Sequence, residues 1–267
     1  MKNQRIFLFA ALVALIATLW GCKDIPQNTT QCNLVEIADG EGLDSAHIKF
    51  VLPWYGDKRV NEAIIEQLNE SLGGIYEGSY SDVDSMGRCY LAHYMKDMKD
   101  MRGELENTLP YERSVSAILD CETDDYVTID VQEYQYSGGA HGGTVSYGLT
   151  FRKSDGRQMG KNILNNLVGD EEWNDMVKQQ LMEHFDVKTE EALHENLQLY
   201  PDYFPFIPMP QTEPYLTEKG LVFIYQQYEI TSYAAGMPGF VIPYDKLKKY
   251  LNSTGKRLLE KYYSFNS

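Results

Sequence analysis

Tyr134-Gln135-Tyr136-Ser137-Gly138-Gly139-Ala140-His141-Gly142-Gly143 joins two stretches that alternate apolar and polar residues, and that junction decides the fold. Upstream lie Val127, Ile129 and Val131; downstream the chain leaves as Val145-Ser146-Tyr147-Gly148-Leu149-Thr150-Phe151. Period-two alternation on both sides of a glycine-dense turn predicts two antiparallel strands. Glycine reaches positive φ and allows close approach, so four glycines around one histidine make the loop a candidate binding surface.

Working outward, Val115, Ala117, Leu119 and Cys121 alternate with polar neighbours, and Glu122-Thr123-Asp124-Asp125 turns the chain into the next strand. Three successive strands therefore form a meander. Further upstream, His47 to Pro53 is strand-like, and Val60, Ile64, Ile65, Leu68 and Leu72 share one side of a 3.6-residue period before Gly73-Gly74. A second stripe, Leu91, Tyr94, Met95, Met98 and Met101, predicts a helix beginning near Cys89, with methionines filling a core gap.

Downstream, Asp170 has the place of an N-cap, with Glu171 and Glu172 in the first turn and Trp173, Met176, Val177, Leu181 and Phe185 on the buried stripe. A shorter helix follows from Thr189 to Leu197. The proline-rich Tyr203 to Pro210 cannot be a central strand, because proline lacks the ladder N–H. Leu221 to Tyr225 and Phe240 to Ile242 are strands around an aromatic loop, Tyr228 to Gly239, and a helix is expected from Tyr244 to Leu251. The class is α+β: an antiparallel meander within a mixed sheet, with helices packed on one face.

Lys2 and Arg5 precede an apolar run, Ile6 to Trp20, that is too short for a mature membrane span and has the form of a secretory signal. It ends at Leu19-Trp20-Gly21-Cys22, the pattern of a bacterial lipobox with Cys22 as the lipidated residue. The 24 basic residues less Lys2 and Arg5 leave 22 against 39 acidic ones, a charge of −17 on the remaining 246 residues. Such a surface is unsuited to nucleic acid and favours basic partners. Residues 23 to about 33 are polar and are assigned to a tether. Cys32, Cys89 and Cys121 remain; a Cys89–Cys121 disulfide and free thiols are both open.

The motifs speak for binding over catalysis. His141-Gly142-Gly143 is similar to an oxyanion loop, but no G-x-S-x-G elbow accompanies it. The five histidines, His47, His93, His141, His184 and His194, form neither H-E-x-x-H nor a close H-x-H pair, so no metal or other cofactor is expected. His184 falls near an apolar stripe and is expected inside. His141 and Glu229 sit in loops that the strand order could bring to one sheet end, as an acid–base pair or, preferably, as a clamp surrounded by Tyr136, Tyr228 and Tyr233.

Two stretches carry a resemblance. Tyr136-Ser137-Gly138-Gly139-Ala140-His141 with Tyr147, Phe151 and Asp155-Gly156 is the first. Gly220-Leu221-Val222-Phe223, Tyr228-Glu229-Ile230, Tyr233-Ala234-Ala235-Gly236 and Val241-Ile242-Pro243-Tyr244 make up the second. Together they resemble the extracellular domain of RsiV-type anti-sigma factors and the accessory region of some polysaccharide deacetylases, a domain of unknown function found in bacterial lipoproteins. The resemblance implies an α+β domain that binds, and in the anti-sigma factors it recognises lysozyme.

The expected organisation is then a lipoprotein signal peptide over 1–21, a tether over 22–34, and an N-terminal α/β segment over 35–108. An RsiV-like domain over 109–252 and a C-terminal helical tail over 253–267 complete it. The expected function is that of a lipid-anchored envelope protein, at the periplasmic or surface face of the outer membrane. Its ligand would be a protein or glycan of the envelope or host secretions, lysozyme included, bound by Tyr136, Gly138, Gly139, His141, Tyr228, Glu229 and Tyr233. The alternative is a peptidoglycan- or glycan-modifying hydrolase using His141 and Glu229.

Overall fold

A computed structural model describes residues 31–105, 109–198 and 206–262. The signal segment, Cys22, residues 23–30, Tyr203 to Pro205 and the last five residues lie outside them. Among the described residues, six strands form one mixed sheet in sequence order: β1 (Cys32–Glu41), β2 (Asp44–Pro53), β3 (Tyr111–Glu122), β4 (Tyr126–Ser137), β5 (Gly143–Arg152) and β6 (Gln158–Met159). All neighbours are antiparallel except β2 and β3, whose parallel pairing runs from Ser45↔Glu112 to Val51↔Ile118. The crossover between them is α1 (Lys58–Ser71) and α2 (Val83–Leu105). The described residues from Gln31 onward form one compact unit, and the β2–β3 pairing carries the sheet across the expected boundary at 108/109.

Two expectations are corrected at this end. Strand pairing begins inside the span expected as a tether, because Cys32, Asn33 and Leu34 already pair with Pro53, Leu52 and Val51. β1 is an edge strand with only Val35 buried, so it lacks the alternation that marks a half-buried strand. α2 begins at Val83 rather than at Cys89, and its buried stripe extends back through Met86 and Tyr90 to join Tyr94 and Met98. The far end of this crossover is tied to the start of β2 at one buried carboxylate: Asp44 accepts from Arg102 and, at 3.1 Å, from the Tyr111 N–H. The Arg102 guanidinium first, and that N–H second, hold the Asp44 carboxyl below the usual carboxylate range.

α1 and α2 cover one face of the sheet. Ile48, Phe50, Val115, Ala117, Ile129, Val131 and Phe151 pack there against Ile64, Leu68, Met86 and Tyr90. Asp57 caps α1 as the turn into that helix requires, and Gly73 and Gly74 end it at φ 106° and 69°. Cys121 does not share the face of Val115, Ala117 and Leu119 as the alternation predicts. A bulge between Leu119 and Cys121 adds one residue, so Cys121 pairs with Thr128 and points to the opposite face. Cys89 and Cys121 therefore belong to cores on different sides of the sheet, and no disulfide joins them.

That opposite face carries a second sheet of β7 (Tyr215–Thr217), β8 (Gly220–Ile224) and β9 (Gly239–Pro243). It seats on Gly148, where any side chain would occupy the space of the Tyr215 ring. α3 (Glu171–His184) starts on the expected cap, Asp170, and α4 (Glu190–Asn196) starts on Thr189, whose hydroxyl caps it. Trp173 packs edge-on against Phe223 and Tyr250, with centroids at 5.4 and 5.0 Å. α5 (Tyr244–Leu247) is one turn, shorter than the helix expected to Leu251, because Leu251 bridges to Leu164 and the Tyr250 carbonyl accepts from Asn165 N–H. α6 (Ser253–Leu259) falls in the segment read as a C-terminal helical tail, and its Leu258 and Leu259 enter the core. The α+β class with a mixed sheet and a β3–β4–β5 meander is as expected.

One half-buried acid lies on this face. Burial, and then the like charge of Asp120, push the Asp130 pKa up to about 7. The folded pKa exceeds the unfolded one, so the native state holds this proton more tightly and stability falls as pH rises from about 4 through about 7. Asp130→Asn should flatten that slope and gain on the order of 2 kcal/mol at pH 8, allowing for solvent screening, with little change at pH 4. Denaturant midpoints across this range check it, and an unaltered slope would refute the assignment.

Candidate functional site

The β4–β5 hairpin presents the glycine loop at one sheet end. Gly138 takes φ 75°, and the Tyr136 hydroxyl donates to the Gly139 carbonyl at 3.0 Å, closing the turn. The Tyr134 ring fills the place that a Cβ on Gly142 would need. Burial first, then Glu112 and the phenols of Tyr233 and Tyr136, raise the Tyr134 pKa, so these rings share one neighbourhood.

The second loop, between β8 and β9, reaches the same end. Two glutamines dock it on β5, beyond the short stretch that β6 covers. Gln226 Oε1 accepts from Ser146 N–H at 3.0 Å and its Nε2 donates to the Ser146 carbonyl at 2.8 Å; Gln227 Oε1 accepts from Thr144 N–H at 2.9 Å. These amides satisfy the open strand edge as another strand would. On its other side the loop is tied to α4, with Thr231 Oγ1 donating to the Asn196 carbonyl at 2.7 Å.

Three rings meet where the loops touch. His141 stacks on Tyr233 with centroids 3.6 Å apart and planes 17° from parallel, and its Nε2 lies 3.0 Å from the Tyr228 hydroxyl. His141 Nδ1 is 3.0 Å from the Gly142 carbonyl, which can only accept. In the neutral ring Nδ1 therefore carries the hydrogen and Nε2 accepts from the phenol. Tyr228 is 60% exposed and adopts φ 66°, a left-handed backbone that non-glycine residues seldom take.

Of the predicted site residues, His141, Tyr228 and Tyr233 are in contact, and Tyr136, Gly138 and Gly139 form the adjoining turn. Glu229 does not join them, which corrects the His141–Glu229 pairing. Its Oε1 accepts from Gln211 N–H and its Oε2 from Gln226 N–H, both at 2.7 Å. The left-handed Tyr228 turns one residue toward His141 and the next into its own loop. The clamp is aromatic instead, and the hydrolase reading loses its acid–base pair. His184 is also corrected: it is exposed at the end of α3, edge-on to Phe185 at 5.0 Å. Gln226 and Gln227 escaped sequence reading, since a glutamine pair after an apolar strand has no distinctive pattern.

Among the described residues no group of three or more His, Cys, Asp or Glu side chains could hold a metal ion, and no helix is long and apolar enough to cross a membrane.

Fold and site together define an α+β domain of two packed sheets, the larger covered by helices, with a preformed aromatic loop edge. Residues 162–245 match a family described as a protein of unknown function, DUF3298. That segment includes Tyr228, Glu229 and Tyr233, begins after the glycine loop, and is narrower than the 109–252 span of the sequence resemblance. The fold is similar to that of a DUF3298 family member from Bacteroides fragilis NCTC 9343, with a TM-score of 0.68 and 21% identity over 88% of this chain and 97% of that one. It is also similar to a DUF3298 family protein from Pseudomonas aeruginosa PAO1, at 0.59 and 17% over 85% and 96%. No curated protein matches the chain.

Proposed function

We propose that this is a lipid-anchored protein of the bacterial cell envelope whose 136–143 and 226–239 loops form a non-catalytic edge for a protein or glycan ligand. The observation that carries the reading is the Tyr228–His141–Tyr233 cluster. An exposed tyrosine in a costly backbone conformation, its hydroxyl on a histidine that in turn stacks on Tyr233, is a rigid contact surface prepared before any ligand arrives. Tyrosine supplies large, stiff contact area with a polar tip. Lipidation at Cys22 would hold the domain at the outer membrane. Lysozyme is the ligand the sequence resemblance names, and a basic enzyme complements a charge of −17.

Surface plasmon resonance with lysozyme and with peptidoglycan fragments tests the edge. Tyr228→Ala combined with Tyr233→Ala should weaken whichever ligand binds by at least tenfold, about 1.4 kcal/mol. Undiminished binding would remove the edge from the interface, and turnover abolished by His141→Ala would replace binding with catalysis.

A further inference from the structure

On the helix-covered face, α1 and α2 leave a concavity that adjoins the glycine loop at Gly143 and takes in none of His141, Tyr228 and Tyr233. It lies between the C-terminal end of α1, the middle of α2, and two cross-strand rows, Arg113/Gln135/Gly143 and Val115/Glu133/Val145. Its volume is about 360 Å³, within the range of small-molecule sites. Leu72, Ile75, Val115 and Val145 give it an apolar lining, and Val145 is 43% exposed.

One charge in the lining is incompletely matched. Glu133 Oε1 accepts from the Tyr147 hydroxyl at 3.0 Å, while Oε2 has no hydrogen-bond partner among the described residues. Arg113 is engaged elsewhere. Its Nη2 donates to Gln135 Oε1 at 2.9 Å, its Nη1 lies 3.5 Å from Asp97, and its guanidinium covers the Tyr94 ring at 5.0 Å. His93 also faces Asp97, at 3.2 Å. Arg113 and Asp97 offset one another, which leaves Glu133 as a half-buried carboxylate beside alkyl side chains. Burial raises its pKa against the opposing effects of Tyr147 and Arg113, as an unmatched anion requires.

We infer that this cavity binds an alkylammonium group, its carbon chain against Leu72, Ile75 and Val145 and its NH3⁺ on Glu133 Oε2. A cation there completes the hydrogen bonding of the carboxylate at Oε2. Two sources share this chemistry, a lysine side chain of a polypeptide and a free amine.

Calorimetry on the whole chain separates them, using Nα-acetyl-lysine N-methylamide, cadaverine and the neutral pentane-1,5-diol. At least one amine should bind, with the diol at least tenfold weaker. Tighter binding of the lysine derivative marks a polypeptide ligand, and tighter binding of cadaverine a free amine. Glu133→Gln keeps an acceptor for Tyr147 and should weaken amine binding at least tenfold. Gly143→Leu should do the same by filling the cavity, since a Cβ there meets nothing within 4 Å and the backbone is not left-handed. Unchanged melting temperatures show that both variants fold. Tyr228→Ala should leave amine binding intact, so this site and the aromatic edge stand or fall separately. Absence of binding by both amines, equal binding of the diol, or undiminished binding by Glu133→Gln overturns the proposal.

Discussion

Gly220→Ala is expected to cost on the order of 4 kcal/mol. Gly220 opens β8, the central strand of the small sheet, and lies opposite Thr217 on one side and Pro243 on the other. Its φ is 148°, and a Cβ would overlap the Ile242 carbonyl and approach Pro243 Cα to 2.9 Å. All of those atoms are backbone, so relief requires β9 to move away from β8. β8 and β9 carry the Tyr228 loop between them, and ligand binding should fall along with stability. Urea denaturation measures the first effect; a loss below about 1 kcal/mol would show that the sheet yields at no great cost.

Thr150→Val should cost about 3 kcal/mol despite its nearly unchanged shape. The two sheets are stitched by a pair of buried hydroxyls. Thr128 Oγ1 donates to the Leu216 carbonyl at 2.7 Å, Thr150 Oγ1 accepts from Leu216 N–H at 2.9 Å, and the hydroxyls lie 2.8 Å apart. Valine leaves a buried N–H unpaired, which costs more than the net worth of one hydrogen bond. Thr150→Ser retains the hydroxyl and should stay within about 1.5 kcal/mol of the parent. If serine and valine were equally destabilising, packing would be responsible and the stitch would carry little. Thermal unfolding of both variants decides between these outcomes.

These bonds also explain how a loop edge can be rigid. Each layer buries its own apolar cluster, and the hydroxyl stitch fixes their relative height. Gln226 and Gln227 then set the aromatic loop against β5 at a defined register. The strained Tyr228 persists because the loop is held on both sides, by β5 and by α4. Filling the β4–β5 turn with side chains would disturb Tyr134 before it reached His141, since that ring rests on Gly142.

The amino-acid sequence alone determined the period-two strands of the meander, the helix capped by Asp170 and the shorter one starting at Thr189, and the turns at Gly73-Gly74 and Gly138-Gly139. All of these follow from backbone preferences and hydrogen bonds spanning a few residues, and they bring His141, Tyr228 and Tyr233 into view as loop residues. Only the tertiary structure decided which groups meet. The bulge that turns Cys121 away from Cys89, the exposed edge strand at Cys32, the parallel pairing of β2 with β3, and the use of Glu229 by two backbone N–H groups all depend on partners distant in the chain. Alternation records that a strand has two faces, but register and non-local packing assign each face its neighbour, so Tyr228 rather than Glu229 became the partner of His141.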